Sequence, residues 1–78
     1  MAAQPLKVLV WNVRSLNSPA WRNAIHQVVV DANPTIVCFQ ETKLELVIAE
    51  IIRHCLGNRF EIFYYLPANG TRGGILIA

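Results

Sequence analysis

Two polar residues stand where chemistry is most easily assembled. Asn12 follows the apolar run Val8-Leu9-Val10-Trp11, and Glu41 follows Ile36-Val37-Cys38-Phe39-Gln40. In an open α/β sheet, ligands gather beyond the carboxyl ends of the strands. If the two runs are neighbouring parallel strands, the Glu41 carboxylate and the Asn12 amide share one rim. They offer oxygen donors of the kind a hard cation such as Mg²⁺ takes, with water and phosphate oxygens in its remaining positions. A cation held there polarises a phosphodiester and stabilises the leaving oxygen. By spacing alone a second account is open: Asn12 makes a local turn bond and Glu41 caps or flanks a helix start.

The elements that must position these residues can be read in order. Val8–Trp11 is a short apolar run of strand formers, as expected of a strand buried on both faces. Ser18-Pro19 is a helix start, with Ser as cap and Pro pre-set for the first turn. Trp21, Ile25, Val28, Val29 and Ala32 then form one helical stripe, and Asn33-Pro34 ends it. Ile36–Phe39 is expected as a second buried strand. A second helix is expected from about Leu44 to Leu56, with stripe Leu44, Ile48, Ile51, Ile52 and Cys55, Gly57 as its C-cap, and Arg53 and His54 at the negative end of its dipole. Phe60–Tyr65 reads as a third strand and Gly74–Ala78 as a fourth. The turn-rich stretch between them allows a hairpin. The order is β-α-β-α-β-β, an α/β class, with the first βαβ unit parallel.

The chain has 78 residues, 54% hydrophobic and 15% charged, with a net charge of +2. That excludes a disordered tail and is too weakly basic to argue for nucleic acid on charge alone. It is unusually apolar for a free-standing domain of this size and resembles a piece of a larger core. Cys38 and Cys55 lie in apolar surroundings and read as reduced core residues; a single disulfide is the alternative. Lys7–Trp11 is too short for the apolar region of a signal peptide, and no run reaches the length of a membrane span. An intracellular, reducing compartment is the expectation.

Three ordered motifs carry a resemblance. Val8-Leu9-Val10-Trp11-Asn12-Val13-Arg14-Ser15-Leu16 is similar to the opening motif of the endonuclease/exonuclease/phosphatase superfamily, an apolar strand ending in Trp-Asn. Pro34 to Lys43 resembles its second motif, a strand ending in Gln-Glu-Thr, and Gly70 to Ile77 resembles the Gly-Gly strand that follows. Asn17 to Ala24 looks most like the endonuclease domain of plant LINE-type non-LTR retrotransposons. The resemblance implies a four-layer α/β sandwich that cuts DNA phosphodiesters with Mg²⁺, Mn²⁺ being the alternative metal. Residues 1–78 would be its N-terminal third or so, truncated at the C-terminus, with the rest of the domain and a reverse transcriptase of the same polyprotein as partners and access to nuclear DNA required. It implies Glu41 as a metal ligand, Asn12 beside it organising the metal and phosphate site, and Gln40 behind them. The family's catalytic Tyr, Asp-x-Asn pair, later Asp and terminal His would all lie downstream, so the isolated chain is expected to fold poorly and not to nick DNA. A catalytically dead relic, or another phosphoesterase of the superfamily acting on inositol phosphates or sphingolipids, are the competing accounts.

Other residues read less sharply. Arg14 stands where apurinic-site repair members often carry an acid; it reads as a phosphate contact or an ordinary loop arginine. His26 and His54 read as surface residues, Tyr64 and Tyr65 as sheet packing, and Trp11 and Trp21 as core rather than base-stacking platforms. Gly70-Thr71-Arg72-Gly73-Gly74 lacks the Lys-Ser/Thr ending of a phosphate loop and precedes a strand, so it reads as a hairpin loop.

Overall fold

The computed structural model describes residues 6–78. Six elements follow in order: β1 (Val8–Asn12), α1 (Pro19–Ala32), β2 (Ile36–Gln40), α2 (Ala49–Leu56), β3 (Tyr64–Leu66) and β4 (Ile75–Ile77). The four strands make one mixed sheet in the order β1-β2-β4-β3. β1 and β2 are parallel, while β4 runs antiparallel to both β2 and β3. The expected α/β order and the hairpin are both present, with β4 inserted between β2 and β3.

Sheet register explains the two faces. Trp11, Phe39, Leu76 and Tyr65 stand in one row across all four strands. Phe39 and Leu76 in this row join Ile25 and Val29 of α1 and Ile52, Cys55 and Leu56 of α2 in a single buried cluster. Both helices therefore cover one face, and they pack on each other. The next row, Val10, Cys38, Ile77 and Tyr64, points the opposite way. The expectation that β1 and β2 are buried on both faces is thus overturned: Val10 is 59% and Ile77 46% exposed. The apolar runs were correctly strands, but their second face carries no layer among the described residues.

An open apolar face of this extent favours self-association. Val10→Lys combined with Ile77→Lys is expected to abolish concentration-dependent association, seen by sedimentation velocity. Association unchanged in the double variant would place the contact elsewhere.

Local signals worked where the capping chemistry was explicit. Ser18 accepts a hydrogen bond from the Trp21 N–H at 3.3 Å, and Asn33 closes α1 in the left-handed region. Arg59 donates to Asn33 Oδ1 and to the Pro34 carbonyl, fastening that helix end. Within α1 the expected stripe is narrower: Ile25 and Val29 are buried, while Val28 and Trp21 are exposed.

α2 begins at Ala49 rather than near Leu44. The Leu44 carbonyl, which a helix would use internally, accepts from the Ala68 N–H at 2.8 Å instead. Leu44 and Val47 still reach the core, but as loop residues. Gly57 does cap α2, at φ 81°, with its N–H donating to the Arg53 carbonyl. Residues 60–63 lie outside the third strand, which starts at Tyr64.

Both cysteines are free thiols. Cys55 is buried under the helices, and burial pushes its thiol up to about 11, partly countered by the Arg22 guanidinium. Cys38 is half-buried on the opposite side of the sheet, which corrects its expected place in the core and separates the two. A thiol reagent at neutral pH is expected to modify Cys38 and spare Cys55, read by mass spectrometry. Because the folded Cys55 binds its proton more tightly than the unfolded chain does, its contribution to stability is complete below about pH 9 and is lost as pH rises toward 11.

Candidate metal and phosphodiester site

The parallel pairing of β1 and β2 sets Asn12 opposite Gln40 at the carboxyl ends of both strands, with Glu41 one residue further. Asn12, Gln40 and Glu41 are all exposed. Asn12 and Gln40 lie on the open face, in the row that continues to Ile75 and Leu66. The two sequence-derived candidates are therefore brought to one rim.

The loops leaving this rim are firmly tied. Val13 N–H extends the ladder to the Gln40 carbonyl at 3.0 Å, and Leu16 N–H donates to the Thr42 carbonyl at 2.8 Å. Asn17 Nδ2 donates to the Lys43 carbonyl at 3.3 Å. Val13 and Leu16 bury their side chains, so the loop after β1 is anchored from below. Arg22 Nε donates to the Leu16 carbonyl at 2.6 Å, and Trp21 Nε1 to the Val13 carbonyl at 2.9 Å. Trp11 packs edge-on against both Trp21 and Phe39 directly behind Asn12. Trp21 thus serves as a half-exposed brace rather than a core residue.

Asn12 does make the turn bond that spacing alone allowed: its Oδ1 accepts from the Arg14 N–H at 3.1 Å. That bond occupies one of the two lone pairs of an amide oxygen and leaves the NH₂ group for other partners. Arg14 itself is exposed, in a left-handed conformation at φ 57°. Glu41 takes no part in helix capping. The residue that caps α2 is Ile48, without a side-chain bond, and Glu41 lies seven positions before it. Glu41 also has a left-handed backbone, at φ 55°.

The donor set decides which ion these residues suit. One carboxylate and one amide oxygen are hard donors, the choice of Mg²⁺ or Mn²⁺ and not of a thiolate- and imidazole-seeking metal. Among the described residues no group of three or more His, Cys, Asp or Glu is placed to hold a metal. The rim fits an ion that keeps most positions for water and phosphate, and it does not form a closed cage.

The remaining candidates resolve into scaffold. His54 Nε2 lies 2.9 Å from Asn23 Oδ1, tying α2 to α1. His26 is half-buried beside Gly57. Tyr64 and Tyr65 belong to the sheet, as expected. Residues 67–72 form the tip of the β3–β4 hairpin, with an Asn69–Arg72 bridge and the Arg72 guanidinium donating to the Pro67 carbonyl at 3.0 Å. No described helix is long and apolar enough to cross a membrane. Two features escaped the sequence reading: Thr42 is completely buried, and Gly73 and Gly74 press against Glu41 and Thr42. Neither carried a signal in the sequence, because Gly73 and Gly74 reach Glu41 and Thr42 only through the insertion of β4 beside β2.

Comparison with known proteins bears on the fold and the family. No curated protein shows a significant match to the chain. Among solved structures, the AP endonuclease of Leishmania major superposes with a TM-score of 0.57 at 27% identity, over 92% of this chain. The match spans 23% of that endonuclease. Residues 9–78 match the Endonuclease/Exonuclease/phosphatase family, and the chain is a member of that family.

Proposed function

We propose that this chain supplies one metal-binding edge of a Mg²⁺-dependent phosphodiesterase acting on DNA, of the retrotransposon endonuclease type. The observation that carries the reading is the β1–β2 register, which sets Asn12 and Glu41, both exposed, at adjoining strand ends. Glu41 would hold the cation. The Asn12 amide, fixed by its bond to the Arg14 N–H, would orient the phosphate beside it. Bound there, the cation would polarise the phosphodiester and neutralise charge on the leaving oxygen. Gln40, expected behind the site, is instead exposed in the same row as Asn12 and would hydrogen-bond a neighbouring phosphate oxygen, and the exposed Arg14 would pair with the backbone of a bound strand.

Support for the retrotransposon branch comes from residues 17–24. Asn17, Ser18, Trp21 and Arg22 of this stretch either cap α1 or fasten the rim loops, so the resemblance falls on residues that shape the site. The open sheet face supports a second half of the domain packing there, and that half would bring the remaining catalytic groups.

The test begins with the transcript past the codon for Ala78. A frame that continues into Asp-x-Asn and His motifs, expressed whole, is expected to nick supercoiled plasmid in Mg²⁺. Chelation should stop the nicking, and added Mg²⁺ or Mn²⁺ should restore it. The 78-residue chain alone should not nick. Nicking by the continued frame that persists in chelator would refute the metal reading, and a stop codon directly after Ala78 would leave a relic.

A further inference from the structure

Four of the five non-glycine residues with positive φ lie in the two loops at the site: Arg14, Ser15, Glu41 and Lys43. Side chains disfavour this region, so such residues persist only where their surroundings hold them. Around Glu41 the holding parts are visible. Thr42, between Glu41 and Lys43, is 0% exposed. Its carbonyl accepts from Leu16, its N–H donates to the Gly74 carbonyl at 3.2 Å, and the Lys43 N–H donates to the Gly73 carbonyl at 2.6 Å. The residue that bears the carboxylate thus leads into a segment bonded on both sides.

Gly73 makes the closest approach. A Cβ on it would stand 3.1 Å from Glu41 Cγ, 3.2 Å from Glu41 Cα and 3.4 Å from Glu41 Cβ. Gly73 is not in the left-handed region. Its lack of a side chain is therefore a matter of space beside Glu41 and not of backbone conformation. Gly74 differs: it has φ 89°, and its Cβ would meet Thr42 Oγ1 at 2.5 Å.

We infer that Gly73 is a positioning residue for the Glu41 carboxylate: by presenting bare backbone to the side chain and backbone of Glu41, it fixes where that carboxylate points at the rim. This rests on the reading of Glu41 as a metal ligand. Groups that orient a ligand in this way commonly change metal affinity by about 10- to 100-fold when altered. Gly73 does not need a left-handed backbone, so Gly73→Ala asks only that Glu41 yield by a few tenths of an ångström at its Cγ and Cα. Its circular dichroism and Tm are recorded beside the titration, and a tenfold affinity loss counts for the positioning role only in a folded variant.

The experiment uses Tb³⁺, an oxygen-seeking probe whose luminescence is sensitised by nearby tryptophan. Trp11 precedes Asn12 and provides the antenna. The chain is titrated with Tb³⁺ at low protein concentration, to avoid association through the open face, and the signal is competed with Mg²⁺. Gly73→Ala is expected to weaken Tb³⁺ binding by about tenfold. Val29→Ala, which trims a buried helix residue away from the rim, should lower Tm and leave the affinity unchanged. Glu41→Ala should remove the sensitised signal. Wild-type affinity in Gly73→Ala, with the Glu41→Ala signal gone, would overturn the positioning role alone. A signal that survives Glu41→Ala would overturn the ligand reading beneath it.

Discussion

In a continued, active frame, Glu41→Ala is expected to lower Mg²⁺-dependent plasmid nicking by about 10²-fold or more, the scale of losing one preorganised charge-stabilising group. The reason lies in the donor set. Glu41 is the carboxylate that follows β2 at the rim, exposed at the strand ends where the cation would be held. Its side chain is exposed and plays no part in α2 capping, so the fold should survive the change. Tm should stay within a degree or two while nicking collapses. Glu41→Gln should behave alike, because it keeps the shape and removes the charge. A collapse of Tm together with activity would instead assign Glu41 a structural role. Asn12→Ala is expected to be more mixed, since the same amide oxygen holds the Arg14 turn.

The second large effect is on stability. Phe39→Ala is expected to cost about 3–5 kcal/mol. Phe39 is fully buried at the centre of the row Trp11-Phe39-Leu76-Tyr65, and its ring meets Trp11 edge-on at 6.1 Å. A core built from fewer than about 80 residues rarely supplies more than about 3–5 kcal/mol in total. The variant should therefore be largely unfolded at room temperature, with helical circular dichroism and the cooperative melt both lost. Val10→Thr, on the open face of the neighbouring strand, should leave the melt nearly unchanged. Equal losses from the two would contradict the assignment of which sheet face is the core.

The contrast between those two strand residues shows what was legible before the structure. Runs of β-formers marked β1, β2 and β4 correctly, because strand tendency is local. The same runs could not show that only one face is covered, because burial depends on what packs there. Ser18, Asn33 and Gly57 marked helix ends through capping chemistry that depends on a few adjacent atoms. A start near Leu44 is what spacing suggests, because Leu44 and Ile48 continue the stripe of Ile51, Ile52 and Cys55, yet the Leu44 carbonyl is taken by Ala68, more than twenty positions away. At the site, a parallel βαβ unit was enough to bring Asn12 and Glu41 to one rim. The pressing of Gly73 against Glu41 was not readable, since it requires β4 to insert beside β2 rather than follow β3 at the sheet edge. Contacts set by strand order are invisible to spacing.

A cation-binding edge formed by Glu41 and Asn12 is tested most directly by a crystal of the chain grown with Mn²⁺, with the ion located by its anomalous scattering. Mn²⁺ is expected at the Glu41 carboxylate, on the rim beyond β1 and β2, with the Asn12 amide beside it. Mn²⁺ bound only at other carboxylates, with Glu41 free of metal, would contradict it.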